Sequence, residues 1–412
     1  MKKLLVIGKN WPEPNTTAAG YRMLQLLRIF QEDAYQIHFS CAATKSEFSE
    51  DLKSLQIIEK SLLLNDSSFD DYVKELQPDI ILYDRFMTEE QYGWRCREQV
   101  TKAIHILDTE DLHLLRKARE EAFKKKEQVN VYNETAMREI AAIYRCDLSI
   151  IISKVEMDLL KQIFQVPDAK LIYVPFLFQA SLYQKNQKSL PSYQERKHFI
   201  MIGNSLHRPN YDAILHMKKD IWPSIRKQLP GVEIHIYGAY QKEKINQLHN
   251  KEQGFIIKGF ALNAMDTLKQ YRILMAPLRF GAGLKGKIFD AMQSCTPVAM
   301  SSIASEGMFN DGELYGFEEN DPIDYANKSV ELYSSKSEWN HISGTNEEVL
   351  KDNYEYTAFA KAFLDRVVSI NNQDLSIELK DDFFIKMLNY HSNNKYKYLS
   401  KWIELKEQLS KS

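Results

Sequence analysis

The stretch that most constrains this chain is Ala276–Met292, APLRFGAGLKGKIFDAM. An apolar run (Ile273, Leu274, Met275) leads into it, and Pro277, Gly281 and Gly283 turn it. Ile288, Phe289 and Met292 then recur at helical spacing until Cys295-Thr296-Pro297 ends the helix. A strand, a glycine turn and a helix N-terminus in succession make an anion site, because backbone N–H groups converge where the helix dipole is positive. Arg279, Lys285 and Lys287 add fixed charge, so the pattern predicts a phosphate or diphosphate guest. An ordinary strand-to-helix turn with solvated lysines would carry the same glycines, so the rest of the chain must decide.

At 412 residues the chain is too long for one hydrophobic core, which predicts two domains. Its 44% hydrophobic and 27% charged residues are those of a globular protein. A net charge of -2 gives no electrostatic case for nucleic acid. Cys41, Cys96, Cys146 and Cys295 lack paired spacing, which predicts free thiols in a reducing compartment and neither disulfide nor zinc. The apolar run LLVIG before Lys9 is short for a signal peptide and reads as a first buried strand. No run approaches the ~18 apolar residues of a spanning helix, so a cytoplasmic location is expected.

Two strand-loop-helix openings follow from the pattern, one per domain. The first is Leu4–Ile7, a loop to Gly20, and a helix carrying Met23, Leu24, Leu27 and Phe30. Gly20 either admits substrate to the backbone or serves helix packing. The second is His198–Ile202, the loop Gly203-Asn204-Ser205-Leu206-His207-Arg208, and a helix through Ile214 and Met217. Arg208 is placed to hold a phosphate, or is simply a surface residue beside Pro209. In the first half, Asp84-Arg85 follows the strand Asp79–Tyr83 and reads as an acceptor-orienting or structural ion pair. Asp108 to His113 follows the strand Ala103–Leu107 and reads as an acid/base cluster with Asp108 facing the cleft, or as a helix start that Thr109 or Asp111 caps. Ser46–Leu55 is expected to be helical and Glu347–Val368 one continuous helix; Arg116–Gln128 reads as a solvated charged helix, or as a basic membrane strip diluted by Glu120 and Glu121. Glu306, in the polar loop Ser301–Met308, is a hydroxyl acceptor or a turn cap. The polar stretch 179–197 is the expected linker between domains at 1–178 and 198–350, with a crossover helix and helical tail at 351–412. The tail's Phe383, Phe384, Trp402 and Leu405 suggest docking on the body by core packing, in preference to a membrane or partner surface.

PLRFGAGLKGKIFDAM, Cys295-Thr296-Pro297-Val298, Ser305-Glu306-Gly307-Met308 and GNSLHRPNYDAI together resemble the family 4 glycosyltransferases over about residues 1–370. YDRF at Tyr83–Phe86 and LDTEDLHLLR at Leu107–Arg116 resemble a bacterial branch of such enzymes. The resemblance implies an α/β chain of two Rossmann-like doubly wound domains facing across a cleft (the GT-B type), with a helical C-terminal extension. It implies a retaining enzyme that needs no protein nucleophile, no metal and no cofactor beyond the nucleotide-sugar co-substrate. Carried over by position, the catalytic set is Asp108, Arg279 and Lys287. The donor-binding set is Gly203, Asn204, Arg208, Gly281, Gly283, Lys285, Asp290 and Glu306. Gly20, Asp84, Arg85 and His113 form the acceptor or cleft set. Asp290 falls where the family binds the nucleotide ribose, while Ala282 stands where the family has a first Glu. The implied partners are a nucleotide-sugar donor and a carbohydrate or lipid-linked acceptor. Cell-surface polysaccharide assembly at the inner face of a membrane, with peripheral contact, would suit them. Two other readings stand beside transfer. One is a nucleotide-sugar epimerase using Asp108 with His113; the other, motivated by Ala282, is a non-catalytic nucleotide-sugar binding protein.

Overall fold

The computed structural model describes residues 2–180, 183, 190–372 and 383–411. Residues 181–182 and 184–189 of the expected linker, and 373–382 of the expected tail, lie outside that range. The first half carries β1 (Lys3–Gly8), β2 (Gln36–Cys41), β3 (Ile58–Ser61), β4 (Ile80–Asp84), β5 (Ile104–Asp108), β6 (Leu148–Ile151) and β7 (Leu171–Tyr173). The second carries β8 (Lys197–Ile202), β9 (Ile234–Tyr237), β10 (Phe255–Gly259), β11 (Tyr271–Ala276), β12 (Val298–Met300) and β13 (Gly316–Glu318). They form a seven-stranded sheet, β3-β2-β1-β4-β5-β6-β7, and a six-stranded sheet, β10-β9-β8-β11-β12-β13. Neighbouring strands pair in parallel in both.

Parallel sheets need cover on both faces, and the strand sequences answer that need. In β1, Leu4 and Val6 enter one apolar cluster while Leu5 and Ile7 enter another on the opposite face. The second sheet has its own cluster, with Phe199, Ile234, Ile273 and Val298 at its centre. In each sheet the winding reverses beside the first strand, between β1 and β4 and between β8 and β11. A crevice opens at such a reversal, outside the strands' carboxyl ends. The two organising loops, after β8 and after β11, both lie there.

The chain crosses between halves twice, and the crossings bond to each other. Phe178 N–H donates to the Tyr354 carbonyl (2.7 Å) and Tyr356 N–H to the Phe178 carbonyl (2.9 Å). This explains why the expected single helix Glu347–Val368 is two, Asn346–Tyr354 and Tyr356–Asn372. The Tyr354 carbonyl is taken by the crossing strand, and Glu355 adopts φ -54°, ψ 116° between the two helices. The second helix returns to the first domain and buries Ala360, Phe363 and Val367 in its core, with Phe363 edge-on to Phe30 at 5.5 Å.

Ser46–Leu55 is a series of turns, not the expected helix. Side-chain carboxylates compete for its polar groups: Ser46 Oγ donates to Glu13, and Leu52 N–H to Glu59. The described part of the expected linker is fastened to the second domain. Arg196, only 1% exposed, donates to Thr296 Oγ1 and the Ser294 carbonyl, and Tyr183 is buried against Cys295. The tail is docked on the body, but Phe383, Trp402 and Leu405 are exposed, contrary to the expected core packing, while Phe384, itself half exposed, packs edge-on against Tyr144.

Because Phe363 closes the first core from a segment so distant in sequence, Phe363→Ala should destabilise that domain by about 3–5 kcal/mol. Urea unfolding followed by circular dichroism would measure it; a loss below about 1 kcal/mol would mean that the returning helix merely rests on the surface.

Candidate active site

The carboxyl ends of the two sheets face each other across a cavity of about 1060 Å³. That is at the upper end of the size of small-molecule sites. Three helices start at its wall: Ala18–Glu32, Arg208–His216 and Gly286–Gln293. Their N-terminal amides and dipoles make the wall positive without any side chain. Glycine is required where the walls meet. Gly283 has φ +65°, and a Cβ there would lie 2.7 Å from the Asp111 Cβ. A Cβ on Gly286 would lie 2.5 Å from the Ala18 Cβ. The glycine turn is thus pressed directly against the first domain.

Lys287 is the central cation. Its Nζ donates to Asn210 Oδ1 at 2.7 Å, and a Cβ on Gly203 would be 3.0 Å from it. No carboxylate pairs with it among the described residues, and burial alone pulls its ammonium down to about 8. Asn210 in turn donates to the Asn204 carbonyl, so one amide side chain ties both loops together. Lys285 is also buried, donates to the Gly283 carbonyl at 2.6 Å, and is drawn down to about 8 by burial. Asp290 lies one helical turn beyond Lys287, near Tyr21, and burial lifts its carboxyl to about 7. Gly203, Asn204, Gly281 and Gly283 line the same cavity, as does Ala282.

From the first domain come Lys9, Arg85, Glu110, Asp111 and Arg116. Arg85 and Glu110 both have left-handed backbone, φ 69° and 62°, a strained arrangement in non-glycine residues. Burial and the neighbouring Asp108 push the Glu110 carboxyl up. Burial would raise Asp111 as well, but Arg116, His113 and His207 together hold it down at about 2. Arg116 Nη1 is 3.0 Å from Asp111.

Several expected site residues lie elsewhere. Asp108 does not face the cleft: it is wholly buried, 3.3 Å from the equally buried Arg22 guanidinium, beneath the cavity floor. His113 turns to Asp111 and Glu139 and packs edge-on against Phe86. The acid/base pair of the epimerase reading therefore does not line the cavity. Asp84 accepts from Lys9 N–H and pairs with Arg85, which reaches the cavity while Asp84 stays behind it. Gly20 packs on the backbone of Glu13, where a Cβ would come within 2.4 Å, and so is a packing glycine. Arg279 is clamped bidentately by Asp212 at 2.7 and 2.8 Å and lies outside the cavity lining. Arg208 pairs with Glu120 across the domains, and Glu306 with Arg119, by two bonds of 2.7 Å. Arg119 also donates to the Gly281 carbonyl at 2.9 Å. The helix His113–Lys125 is therefore no mere solvated face: Arg119 and Glu120 latch the two domains together.

Glu156 is the most informative residue that sequence reading missed. It belongs to the first-domain helix Lys154–Gln162. Its Oε1 accepts from Leu112 N–H and from Gly283 N–H of the opposite domain, both at 2.9 Å. Burial, with Asp111 nearby, raises its carboxyl to about 8. Nothing in Val155-Glu156-Met157 distinguishes it from an ordinary helix glutamate. Asn210 was likewise unsignalled, although it stands in the Pro209-Asn210 start of a helix. A His198–Glu233–His235 cluster occurs at the amino ends of β8 and β9, away from the cavity. Three of its ring nitrogens are engaged: both of His235, with Glu233 and Tyr271 (2.7 Å each), and His198 Nδ1, which accepts from the Glu233 N–H.

Comparison with known proteins follows this geometry. Residues 196–335 match the family described as Glycosyl transferases group 1. No curated protein matches the chain in sequence. Among solved structures, a Staphylococcus aureus TarM mutant in complex with fondaparinux, alpha-GlcNAc-glycerol and UDP superposes with a TM-score of 0.67 at 11% identity, over 90% of this chain and 100% of that one. Sucrose-phosphate synthase from Thermosynechococcus elongatus gives 0.68 at 13% identity, over 89% and 98%. Anabaena HepE in complex with UDP and glucose gives 0.66 at 13%, over 90% and 100%. At such identities the likeness is one of fold, two Rossmann-like domains facing across a cleft.

The raised Glu156 carboxyl predicts a pH dependence. Protonated in the closed protein up to about pH 8 but ionising near pH 4.3 once exposed, it makes the folded form bind more protons between those limits. Stability should therefore fall as pH rises from about 5 to about 8, and Glu156→Gln should flatten that slope. Thermal unfolding across the range would show it, and parallel slopes for the two proteins would refute the assignment.

Proposed function

We propose that this chain, a glycosyltransferase of the GT-B architecture, moves a sugar from a nucleotide-sugar donor to a carbohydrate or lipid-linked acceptor with retention at the anomeric carbon. The observation that carries the reading is the Lys287 ammonium: half-buried in the cleft, beside the Gly286–Gln293 N-terminus, with an amide oxygen as its hydrogen-bond partner among the described residues. A partly desolvated cation without a counter-ion is favoured by an anion that completes it. The diphosphate of an activated sugar supplies that anion.

In this reading the second domain binds the donor. Lys287, the Gly286 and Lys287 amides and the start of the Arg208–His216 helix hold the diphosphate, with Lys285 adding charge behind the loop. Asp290 accepts the ribose hydroxyls. When the glycosidic bond breaks, negative charge grows on the departing diphosphate, and these fixed groups stabilise it without reorganising. The acceptor enters from the first domain, past Arg85, Glu110 and Asp111. The acceptor hydroxyl attacks from the side the leaving group departs, so retention requires no covalent sugar intermediate on the protein. The strained, high-pKa Glu110 is positioned to take up an acceptor hydroxyl hydrogen bond. TarM and HepE were solved with UDP, which makes UDP the first nucleotide to test. Assembly of cell-surface polysaccharide is the setting we propose.

Lys287→Ala should weaken UDP binding by roughly ten- to hundredfold, the worth of a charge-assisted hydrogen bond. Binding to the intact protein should also decline above about pH 8, where Lys287 and Lys285 lose their protons, and this step should shrink in the variant, which keeps only Lys285. Calorimetric titration checks both; wild-type affinity in Lys287→Ala would remove the diphosphate from this site.

A further inference from the structure

The C-terminal helix Tyr398–Lys411 is mounted inside out. The side that faces the protein carries Ser400, Glu404 and a single apolar residue, Ile403. Ser400 is buried and accepts from Arg95 Nη2 at 3.0 Å, while Glu404 accepts from the Ser67 N–H at 2.9 Å. Just before it, Tyr396 donates to Glu90 and Lys397 pairs with Glu98. Its apolar side faces outward. Tyr398, Trp402, Leu405 and Leu409 recur at helical spacing on one stripe and are 63%, 59%, 55% and 68% exposed. A helix stabilised only by its own fold would be turned the other way. Leu63 and Leu64, 63% and 53% exposed, precede Ser67 by four and three residues in the chain.

We propose that this stripe is a membrane-surface anchor that lays the first domain on an anionic lipid bilayer. Charge placement selects that occupant. Lys401 and Lys406 lie on either side of the stripe, and Lys406 sits 5.3 Å from the Trp402 ring. The two carboxylates of the helix, Glu404 and Glu407, fall on the opposite side. Flanking lysines reach up to lipid phosphates while the apolar stripe sinks among the acyl chains, and Tyr and Trp suit the boundary between. A second copy of this helix would instead bring like charges together. No helix among the described residues is long and apolar enough to cross a membrane, so the contact is a surface one. The proposal stands independently of the transfer reading.

The test is co-sedimentation of the full chain, without nucleotide, with vesicles of phosphatidylcholine alone or mixed with phosphatidylglycerol. The wild type should bind the mixed vesicles, more weakly as salt rises. The variant Trp402→Ser, Leu405→Ser, Leu409→Ser should lose roughly tenfold or more of that binding. Lys401→Glu with Lys406→Glu should abolish the preference for the anionic vesicles. All of these side chains are exposed, and unchanged circular dichroism and UDP titration relative to wild type would show that fold and cleft are intact. Equal vesicle binding by wild type and the serine variant, or none by the wild type, overturns the proposal. So does a concentration-dependent dimer in light scattering that the serine variant abolishes, since a second copy would then cover the stripe.

Discussion

A half-buried ammonium at the cleft wall, held by an amide oxygen and by no carboxylate among the described residues, is the group around which this molecule is arranged. Desolvating Lys287 without a carboxylate is unfavourable, and the surrounding structure bears that cost rather than relieving it. Asn210 offers an oxygen, Gly203 leaves room, and the helix beginning at Gly286 adds a positive dipole instead of a compensating negative one. The two parallel sheets and the latches between the domains together hold that charge at the wall of the cleft.

Domain closure and ligand site use the same atoms. Gly283 lies in the anion loop, yet its N–H is taken by Glu156 of the first domain and its missing side chain makes room for Asp111. Gly281 carries a carbonyl that Arg119 holds from across the cleft. Movement of one domain against the other therefore changes this glycine loop. The two crossings at Phe178 and Tyr354–Tyr356, bonded to each other, give the halves a shared pivot. The ion pairs Arg119–Glu306 and Arg208–Glu120 lie at the rim, where screening keeps the individual contribution small and the closed form adjustable.

Local pattern located the cleft but misassigned several of the side chains around it. Strands such as LLVI and IILY, glycine turns and helix starts are short-range signals, and they put Gly203, Gly281, Gly283, Lys285, Lys287 and Asp290 at one cavity. Charged residues read from the same loops fared differently. Arg208, Arg279 and Glu306 found ionic partners at Glu120, Asp212 and Arg119, all far away in sequence. Asp108 was drawn beneath the floor by Arg22, a residue in the middle of an otherwise apolar helix stripe. The direction in which a charged side chain points is set by its counter-charge, which sequence spacing does not encode.

By itself the sequence determined the two parallel sheets, their winding, and the glycine loop before the Gly286 helix. Apolar runs and glycine positions act over a few residues, and hydrophobic burial on both faces of a parallel sheet leaves little choice. Only the tertiary structure decided the roles of Glu156, Glu110 and Asn210, the split of the helix at Glu355, and the outward stripe of the last helix. Each of these depends on a contact between segments remote in the chain: Glu156 with Gly283, Phe178 with Tyr354, Ser67 with Glu404. Long-range hydrogen bonds and ion pairs form once the backbone has brought their atoms together, and no periodicity announces them beforehand.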